Sequence, residues 1–353
     1  MGGVERVEIS PGYSISRVIK GSWQLAGGHG PVSTDRAIAD MRRFVESGVT
    51  TFDCADIYTG VESLIGAFRE THRGAFHDGL LPPVQVHTKY VPDLATLSTL
   101  HRSDTVTIVE RSLRRLRQDR LDLVQFHWWD FDVPGYVDAA LWLTELQQEG
   151  KIRHIGVTNF DAIHLQELLD AGVPVISNQV QYSVLDRRPE TALSQLCTQR
   201  GVALLCYGTV AGGFLSDRYL GTTDPTAPLE NRSLTKYRLI IEECGGWEPF
   251  QAALQSLQSI ARKHGTSIAM VAARYVLQKP NVAAAILGMR STAHLSDTSR
   301  LLDFTLDVED ITQIDTALAD GPAGAVYALE RNRDGPHGSV MKYNLGRNSG
   351  GSN

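Results

Sequence analysis

Short runs of apolar and β-branched residues recur along the chain, and each is followed by a stretch whose apolar positions return every three to four residues. The short runs predict strands at 17–23, 50–53, 84–89, 121–127, 152–158, 175–179, 202–207 and 282–287. The longer stretches predict helices that include 34–47, 103–117, 137–149, 161–171 and 190–200. The first helix opens on Ser33-Thr34-Asp35, a capping signal, and stops at Gly48. Strands that alternate with helices and are apolar on both faces pair in parallel. Eight such units over about 320 residues predict an α/β fold of the (β/α)8, or TIM-barrel, type, because doubly wound open sheets usually have fewer strands.

Two short alternating runs within 4–16, joined at Ser10-Pro11-Gly12, predict an N-terminal β-hairpin cap that closes the bottom of the barrel. Two stretches break the repeat. One is a long loop at 208–246; the other is the tail after Asp320, rich in Gly, Asn and Arg, which reads as loosely ordered. The organisation expected is one barrel over 1–322 and a C-terminal tail over 323–353 placed to cover the mouth.

Composition narrows the function classes. Of 353 residues, 42% are hydrophobic and 21% charged, enough apolar material for a large core. The formal charge of -6 is spread along the chain, which argues against nucleic-acid and anionic-membrane partners. The basic cluster from Arg111 to Arg120 is broken by leucines at helical spacing and reads as the wet side of a helix. No apolar run reaches the ~20 residues that span a bilayer, and the opening residues resemble no signal peptide. Gly2 lacks the Ser or Thr at position 6 that myristoylation requires, since Arg6 stands there. The cysteines Cys54, Cys197, Cys206 and Cys244 are far apart, which fits a reducing compartment, and the cytoplasm is the expected location. Nothing in the pattern specifies an oligomeric state.

The chemistry of a TIM barrel sits at the C-terminal ends of its strands. Here the second strand ends in Asp53, within Phe52-Asp53-Cys54-Ala55-Asp56-Ile57-Tyr58; the third ends His87-Thr88-Lys89; the fourth runs from Leu121 to His127. A shared mouth would bring together a carboxylate, a phenol, an ammonium and an imidazole. Lys89 beside Tyr58 would favour the phenolate and pull the phenol below its ordinary pKa of ~10. Asp53 would hold Lys89 charged and in place, and His127 would hydrogen-bond the oxygen of a bound carbonyl. That set suits reduction of C=O, where oxygen gains a proton as carbon gains hydride. The hydride must come from a cofactor, because no side chain supplies one.

The run Asp53-Cys54-Ala55-Asp56-Ile57-Tyr58, with Glu62 and Gly66 after it, resembles the D-T-A-x-x-Y signature of the aldo-keto reductases. Thr88-Lys89 and Leu121-Asp122-Leu123-Val124-Gln125-Phe126-His127 resemble that family's next two signatures, in the same order. The resemblance implies Tyr58 as general acid and base, Lys89 and Asp53 as its tuning pair and His127 as substrate orienter. Cys54 departs from the signature, which has Thr. The reaction implied is reduction of an aldehyde or ketone, a small-molecule carbonyl substrate, with NADP(H), no metal, and NAD(H) left open as a second cofactor.

There is no G-x-G-x-x-G after a strand and no Walker loop, so a nicotinamide cofactor must be held another way. The fifth strand ends at Thr158 and Asn159 and the sixth carries Gln179, whose polar groups suit a carboxamide. The family holds its nicotinamide amide with residues at these motifs. The resemblance also implies stacking on Tyr207, and the following Gly208, Thr209, Val210, Gly212 and Phe214 form a small-residue turn where backbone amides approach a pyrophosphate. Ser22 and Trp23, at the end of the first strand, and Asp53, at the end of the second, are counted with the cofactor. After the last strand, Gly288, Arg290, Ser291, His294, Asp297 and Thr298 match the segment that the family uses for the adenosine 2'-phosphate and adenine. His294 and Thr298 depart from the commoner Arg or Gln and Asn. Arg290 supplies charge for a phosphate, which favours NADP(H).

Trp23, Tyr90, Trp128 and Trp129 are expected to ring the mouth and favour flat or apolar substrates. Two other classes fit less well. A nicotinamide-binding regulatory subunit resembling the potassium-channel β-subunits would carry the same four polar residues with little turnover. A metal-dependent hydrolase would want converging His, Asp or Glu ligands, whereas His127 has no histidine two residues away.

Overall fold

The computed structural model describes residues 4–27, 30–225, 228–318 and 321–345. Eight parallel strands close into a barrel: β3 (Val18–Gly21), β4 (Thr51–Asp53), β5 (Gln85–Tyr90), β6 (Leu121–Phe126), β7 (Ile152–Thr158), β8 (Val175–Gln181), β9 (Ala203–Tyr207) and β10 (Val282–Gly288). Each pairs with its neighbour in sequence, and β10 closes on β3. Before them, β1 (Arg6–Ser10) and β2 (Tyr13–Ser16) pair antiparallel as the expected hairpin. All eight barrel strands fall where the apolar runs predict them, with ends shifted by one or two residues.

The helices between strands are α1 (Thr34–Glu46), α2 (Val61–Thr71) with the short α3 (Arg73–His77), α4 (Arg102–Leu116), α5 (Tyr136–Gln148), α6 (Ala162–Asp170) and α7 (Ala192–Arg200). After β9 come α8 (Arg232–Glu243), α9 (Trp247–Lys263) and α10 (Ile268–Leu277); after β10 come α11 (Leu295–Ser299) and α12 (Val308–Ala317). Side-chain caps start several of them: Ser33 accepts from Arg36 N, and Asp161 from His164 N.

Strand alternation divides the apolar residues into two bodies. Ile19, Leu123, Leu205, Ala284 and Ile286 form a small cluster with Tyr13 and Ile15 of the hairpin, filling the barrel. The much larger cluster joins the outward-facing strand residues, such as Phe52, Val86, Val124 and Val157, to the helices. Tyr13 plugs the bottom: its hydroxyl lies 3.1 Å from His87 Nε2 and its ring 4.3 Å from that of His154. Packing the lower barrel with apolar and aromatic groups leaves the polar ends of β4 to β9 to converge at the other mouth.

Two expectations are corrected. The stretch 208–246 is not a bare loop, because it contains α8, capped by Asn231 on Leu234 N, with Leu234, Tyr237, Ile240 and Ile241 buried at helical spacing. Nor is the tail loosely ordered over its described part, 321–345. It holds the short helices α13 (Ala328–Arg331) and α14 (Pro336–Ser339) and packs on the barrel. Glu330, 1% exposed, pairs with Arg188 at 3.1 Å; Leu94 N donates to Tyr343 O and Ala95 N to Asn344 Oδ1, both at 2.9 Å. The end of the predicted tail, 346–353, lies outside the described residues.

Gly66 sets the distance between α2 and α4, since a Cβ there would lie 2.1 Å from the Arg115 carbonyl oxygen. Gly66→Ala is therefore expected to destabilise the protein towards the upper end of the ~1–3 kcal/mol typical of overpacking. The check is a lower urea midpoint at unchanged slope.

Candidate active site

A carboxylate and an ammonium meet where β4 and β5 end. Lys89 Nζ lies 2.8 Å from each oxygen of Asp53 and 2.8 Å from the carbonyl oxygen of Cys54. Both side chains are buried. Burial works against the Lys89 charge, but Asp53, Tyr58 and Cys54 outweigh it and hold the ammonium above its ordinary pKa. Gln125 and Gln179 complete the cradle, donating to Asp53 Oδ1 at 3.0 and 2.6 Å, and Gln179 also donates to Gln125 Oε1 at 2.9 Å. A buried ion pair survives only with its spare lone pairs and protons satisfied, and the two amides do that here.

The sequence motifs alone assign Gln125 no role. The signal was present, because Leu123, Gln125 and His127 alternate and share the inner face of β6 with the apolar barrel filling.

Tyr58 follows β4, with Lys89 Nζ 5.2 Å from its ring centroid. Its phenol is pushed above the ordinary value by burial, with Lys89 opposing and Asp53 reinforcing the shift. The expected net lowering therefore does not occur in this state: Lys89 acts in the predicted direction, but its charge is shared with Asp53 and desolvation is larger. Tyr58 stands as a protonated phenol next to a fixed ammonium.

His127 Nδ1 lies 3.0 Å from the Thr158 carbonyl oxygen. A carbonyl only accepts, so Nδ1 carries the proton in this arrangement. Burial lowers the His127 pKa to about 4, Lys89 adding to the effect against the Thr158 bond. The neutral ring thus leaves Nε2 as an acceptor. It suits a hydroxyl hydrogen, whereas the sequence reading had it donating to a carbonyl oxygen.

Above this floor opens a cavity of about 980 Å3, at the upper end of small-molecule sites (roughly 300–1,000 Å3). Asp53, Tyr58, Lys89 and His127 all line it. So do Trp23, Thr158, Asn159, Gln179, Tyr207, Gly208, Thr209, Val210 and Gly212, and further out Gly288, Arg290, Ser291, His294, Asp297 and Thr298. Residues from most strand ends thus face one space, as closure of the sheet requires.

Several of these groups are left with bonding capacity towards the cavity. The Tyr207 hydroxyl donates to Asn159 Oδ1 at 2.9 Å, which leaves the Asn159 amide protons. Gln179 spends its amide on Asp53 and Gln125, which leaves its Oε1. Thr158 Oγ1 and Thr209 Oγ1 are buried without a hydrogen-bond partner among the described residues. Gly212, at φ +65°, has no room for a side chain, since a Cβ would lie 2.7 Å from Tyr237 Cδ2. Arg290 donates to Pro31 O at 2.9 Å and bridges the first loop to the end of β10. This arrangement fits a nicotinamide dinucleotide: a donor and an acceptor for the carboxamide, a glycine turn, and an arginine at the far end.

Four expected lining residues do not face the cavity. Tyr90 follows inward-facing Lys89 and so points out of the barrel, stacking on Phe126 at 5.6 Å and bonding Thr105 Oγ1 at 2.8 Å. Trp128 follows His127 and turns outward likewise, its Nε1 donating to Val133 O. Phe214 is buried against Tyr219, Trp247 and Phe250. Ser22 lies between two lining residues, but its buried hydroxyl is outside the lining. For Tyr90 and Trp128 the two-residue alternation carried the answer. Trp129 does line the cavity, its Nε1 fixed on Pro92 O at 2.9 Å. Lys236 and Tyr237 of α8, from the stretch expected as a loop, and Tyr327, from the tail expected over the mouth, also line the cavity, although none of the three is marked as a site residue by the sequence motifs.

Comparison with known proteins places this geometry in context. The profile of the Aldo/keto reductase family matches residues 17–319. The chloroplastic pyridoxal reductase of Arabidopsis thaliana is 29% identical over 346 residues, covering 93% of this chain and 90% of its own. The aldo-keto reductase YhdN of Bacillus subtilis is 27% identical, covering 92% and 97%. Among solved structures, the glycerol dehydrogenase of Gluconobacter oxydans superposes with a TM-score of 0.73 at 25% identity, covering 88% of this chain and 95% of that one.

Two buried histidines make the site acid-sensitive. His127 and His87 have pKa values lowered by burial to about 4 and about 3, against ~6.5 in the unfolded chain. As pH falls below ~6.5 the unfolded chain takes up these protons first, so stability is lost by up to ~1.4 kcal/mol per pH unit for each residue. His127→Gln is expected to reduce the slope of unfolding free energy between pH 6 and 4.5 by about one proton's worth. Urea titrations across that range measure it.

Proposed function

This chain belongs to the aldo/keto reductase family, and from that premise we propose that it reduces an aldehyde or ketone to the alcohol with NADP(H) as cofactor. The observation that carries the reading is the buried Lys89–Asp53 pair set beside Tyr58 on the floor of a large cavity. A reduced nicotinamide would supply the hydride that no side chain can. Its carboxamide would lie between the Asn159 amide, the Gln179 Oε1 and the Thr158 hydroxyl, with Tyr207 alongside. The turn Gly208–Gly212 would take the diphosphate and Arg290, with Ser291 and His294, the 2'-phosphate.

Tyr58 gives its proton to the carbonyl oxygen. A phenol that is fully protonated beforehand is the right starting state, and the fixed Lys89 ammonium stabilises the phenolate left behind. Asp53 keeps that ammonium in register and spends both carboxylate oxygens on it. His127, neutral with a free Nε2, receives the hydroxyl hydrogen of the alcohol formed and holds that oxygen at the site. Trp23 and Trp129 border the space left for the substrate's carbon skeleton.

Two substitutions test the reading. Tyr58→Phe is expected to lower kcat by at least ~100-fold while cofactor binding persists, as removal of a general acid does. Cofactor absorbance with a panel of aldehydes and ketones reads the first and tryptophan fluorescence quenching the second; unchanged turnover would remove Tyr58 from the mechanism. Arg290→Ala is expected to weaken NADPH by about tenfold and NADH by much less, consistent with a charged hydrogen bond of ~1.5–3 kcal/mol partly screened at an exposed site. Equal losses for the two cofactors would move the phosphate contact elsewhere.

A further inference from the structure

The tail crosses the mouth of the barrel and puts Tyr327 into the cavity beside His127. The two rings meet edge to face, with centroids 5.2 Å apart and planes at 88°. Tyr327 is 3% exposed, and its hydroxyl is buried with no hydrogen-bond partner among the described residues. Its backbone is left-handed, φ 64° and ψ 6°, at the start of α13.

Each of these features is unfavourable by itself. A left-handed conformation strains a residue with a Cβ, and a buried hydroxyl without a partner gives up its hydration unrepaid. They persist because the surrounding contacts over-determine them. Three residues on, Glu330 is tied to Arg188 at 3.1 Å, and Arg188 in turn to Asp186 at 2.7 Å, all three buried. Arg331 N donates to Tyr327 O at 3.1 Å, and Arg331 reaches Asp161 at 3.3 Å. Further along, Tyr343 packs edge-on against Trp129 at 5.0 Å. The fold thus clamps a phenol against the imidazole and leaves its hydroxyl uncommitted.

Resting on the carbonyl-reductase reading above, we infer that the Tyr327 hydroxyl bonds a second oxygen of the substrate, so that the preferred substrates carry a hydroxyl or carbonyl oxygen next to the carbonyl that is reduced. Tyr58 donates to the reacting oxygen, and Tyr327, edge-on to the His127 ring and lining the same cavity, takes its neighbour. Burial, helped by the Glu330 carboxylate, pushes the Tyr327 phenol well above the ordinary range, so it keeps its proton and can donate. A site built to bond a substrate oxygen discriminates against the analogue that lacks it, because the site's own polar group is then left unpaired.

The test titrates a matched pair, 1-phenyl-1,2-propanedione and propiophenone, into the full-length protein by calorimetry with NADP+ present, so that no reduction runs. The wild-type protein is expected to bind the dione about tenfold more tightly, the worth of one hydrogen bond of ~1.4 kcal/mol. In Tyr327→Phe, which keeps the ring and its contact with His127, that ratio is expected to fall to near one. A ratio near one in the wild type overturns the inference without any variant, and so does a tenfold preference that survives in Tyr327→Phe. NADPH turnover, measured on the same preparations, reads the reductase proposal separately. Turnover without the affinity ratio would sink the role of Tyr327 alone; the ratio without turnover would sink the reductase reading and leave the tyrosine's contact standing.

Discussion

Two opposite charges have been taken out of water at the C-terminal mouth of this barrel, and much of the site's architecture answers that cost. Desolvating an ammonium and a carboxylate costs several kcal/mol each even after relaxation. Lys89 and Asp53 bear it because the ammonium and both carboxylate oxygens are engaged, by each other, by the Cys54 carbonyl and by Gln125 and Gln179. These partners come from four different strands, so the pair is held only when the barrel is closed in one register. The same burial explains why Tyr58 remains a phenol: desolvation raises its pKa more than the ammonium, opposed by Asp53, lowers it.

The rest of the barrel makes that register hard to lose. The lower half is filled with apolar side chains and plugged by Tyr13 of the hairpin, while the outer faces of the strands are sealed under helices. Gly66 allows α2 to lie directly on the backbone of α4, which anchors the segment that follows Tyr58. Polar groups are therefore concentrated at one end by exclusion from everywhere else. Their spare valences, at Asn159, Gln179, Thr158 and Thr209, point to a ligand that carries both donors and acceptors.

Two later segments finish the cavity. Helix α8 brings Lys236 and Tyr237 to its wall, and the tail brings Tyr327, locked by the buried Asp186–Arg188–Glu330 cluster. The strand ends thus supply the polar floor of the cavity, while α8 and the tail supply part of its wall. Removing the tail would expose the His127 face and leave Arg188 with half of its carboxylate partners.

Much of this was legible in the chain itself. Eight apolar runs alternating with helical periodicities specified the barrel, and the strand-end residues Asp53, Lys89 and His127 specified a polar mouth, because local periodicity decides which side chains a strand turns inward. The same period, applied strictly, places Gln125 inside and Tyr90 and Trp128 outside, so those three were readable though not read. The helix at 232–243 also had its cap and spacing in the sequence. What no local pattern carried was the net pKa of Tyr58, the proton position on His127 and the seat of Tyr327. Each depends on partners far away in the chain: Gln179 lies 126 residues from Asp53, and Glu330 lies 142 from Arg188. Periodicity is a property of neighbours along the chain, whereas desolvation and hydrogen-bond completion are properties of neighbours in space, and only the closed barrel brings those together.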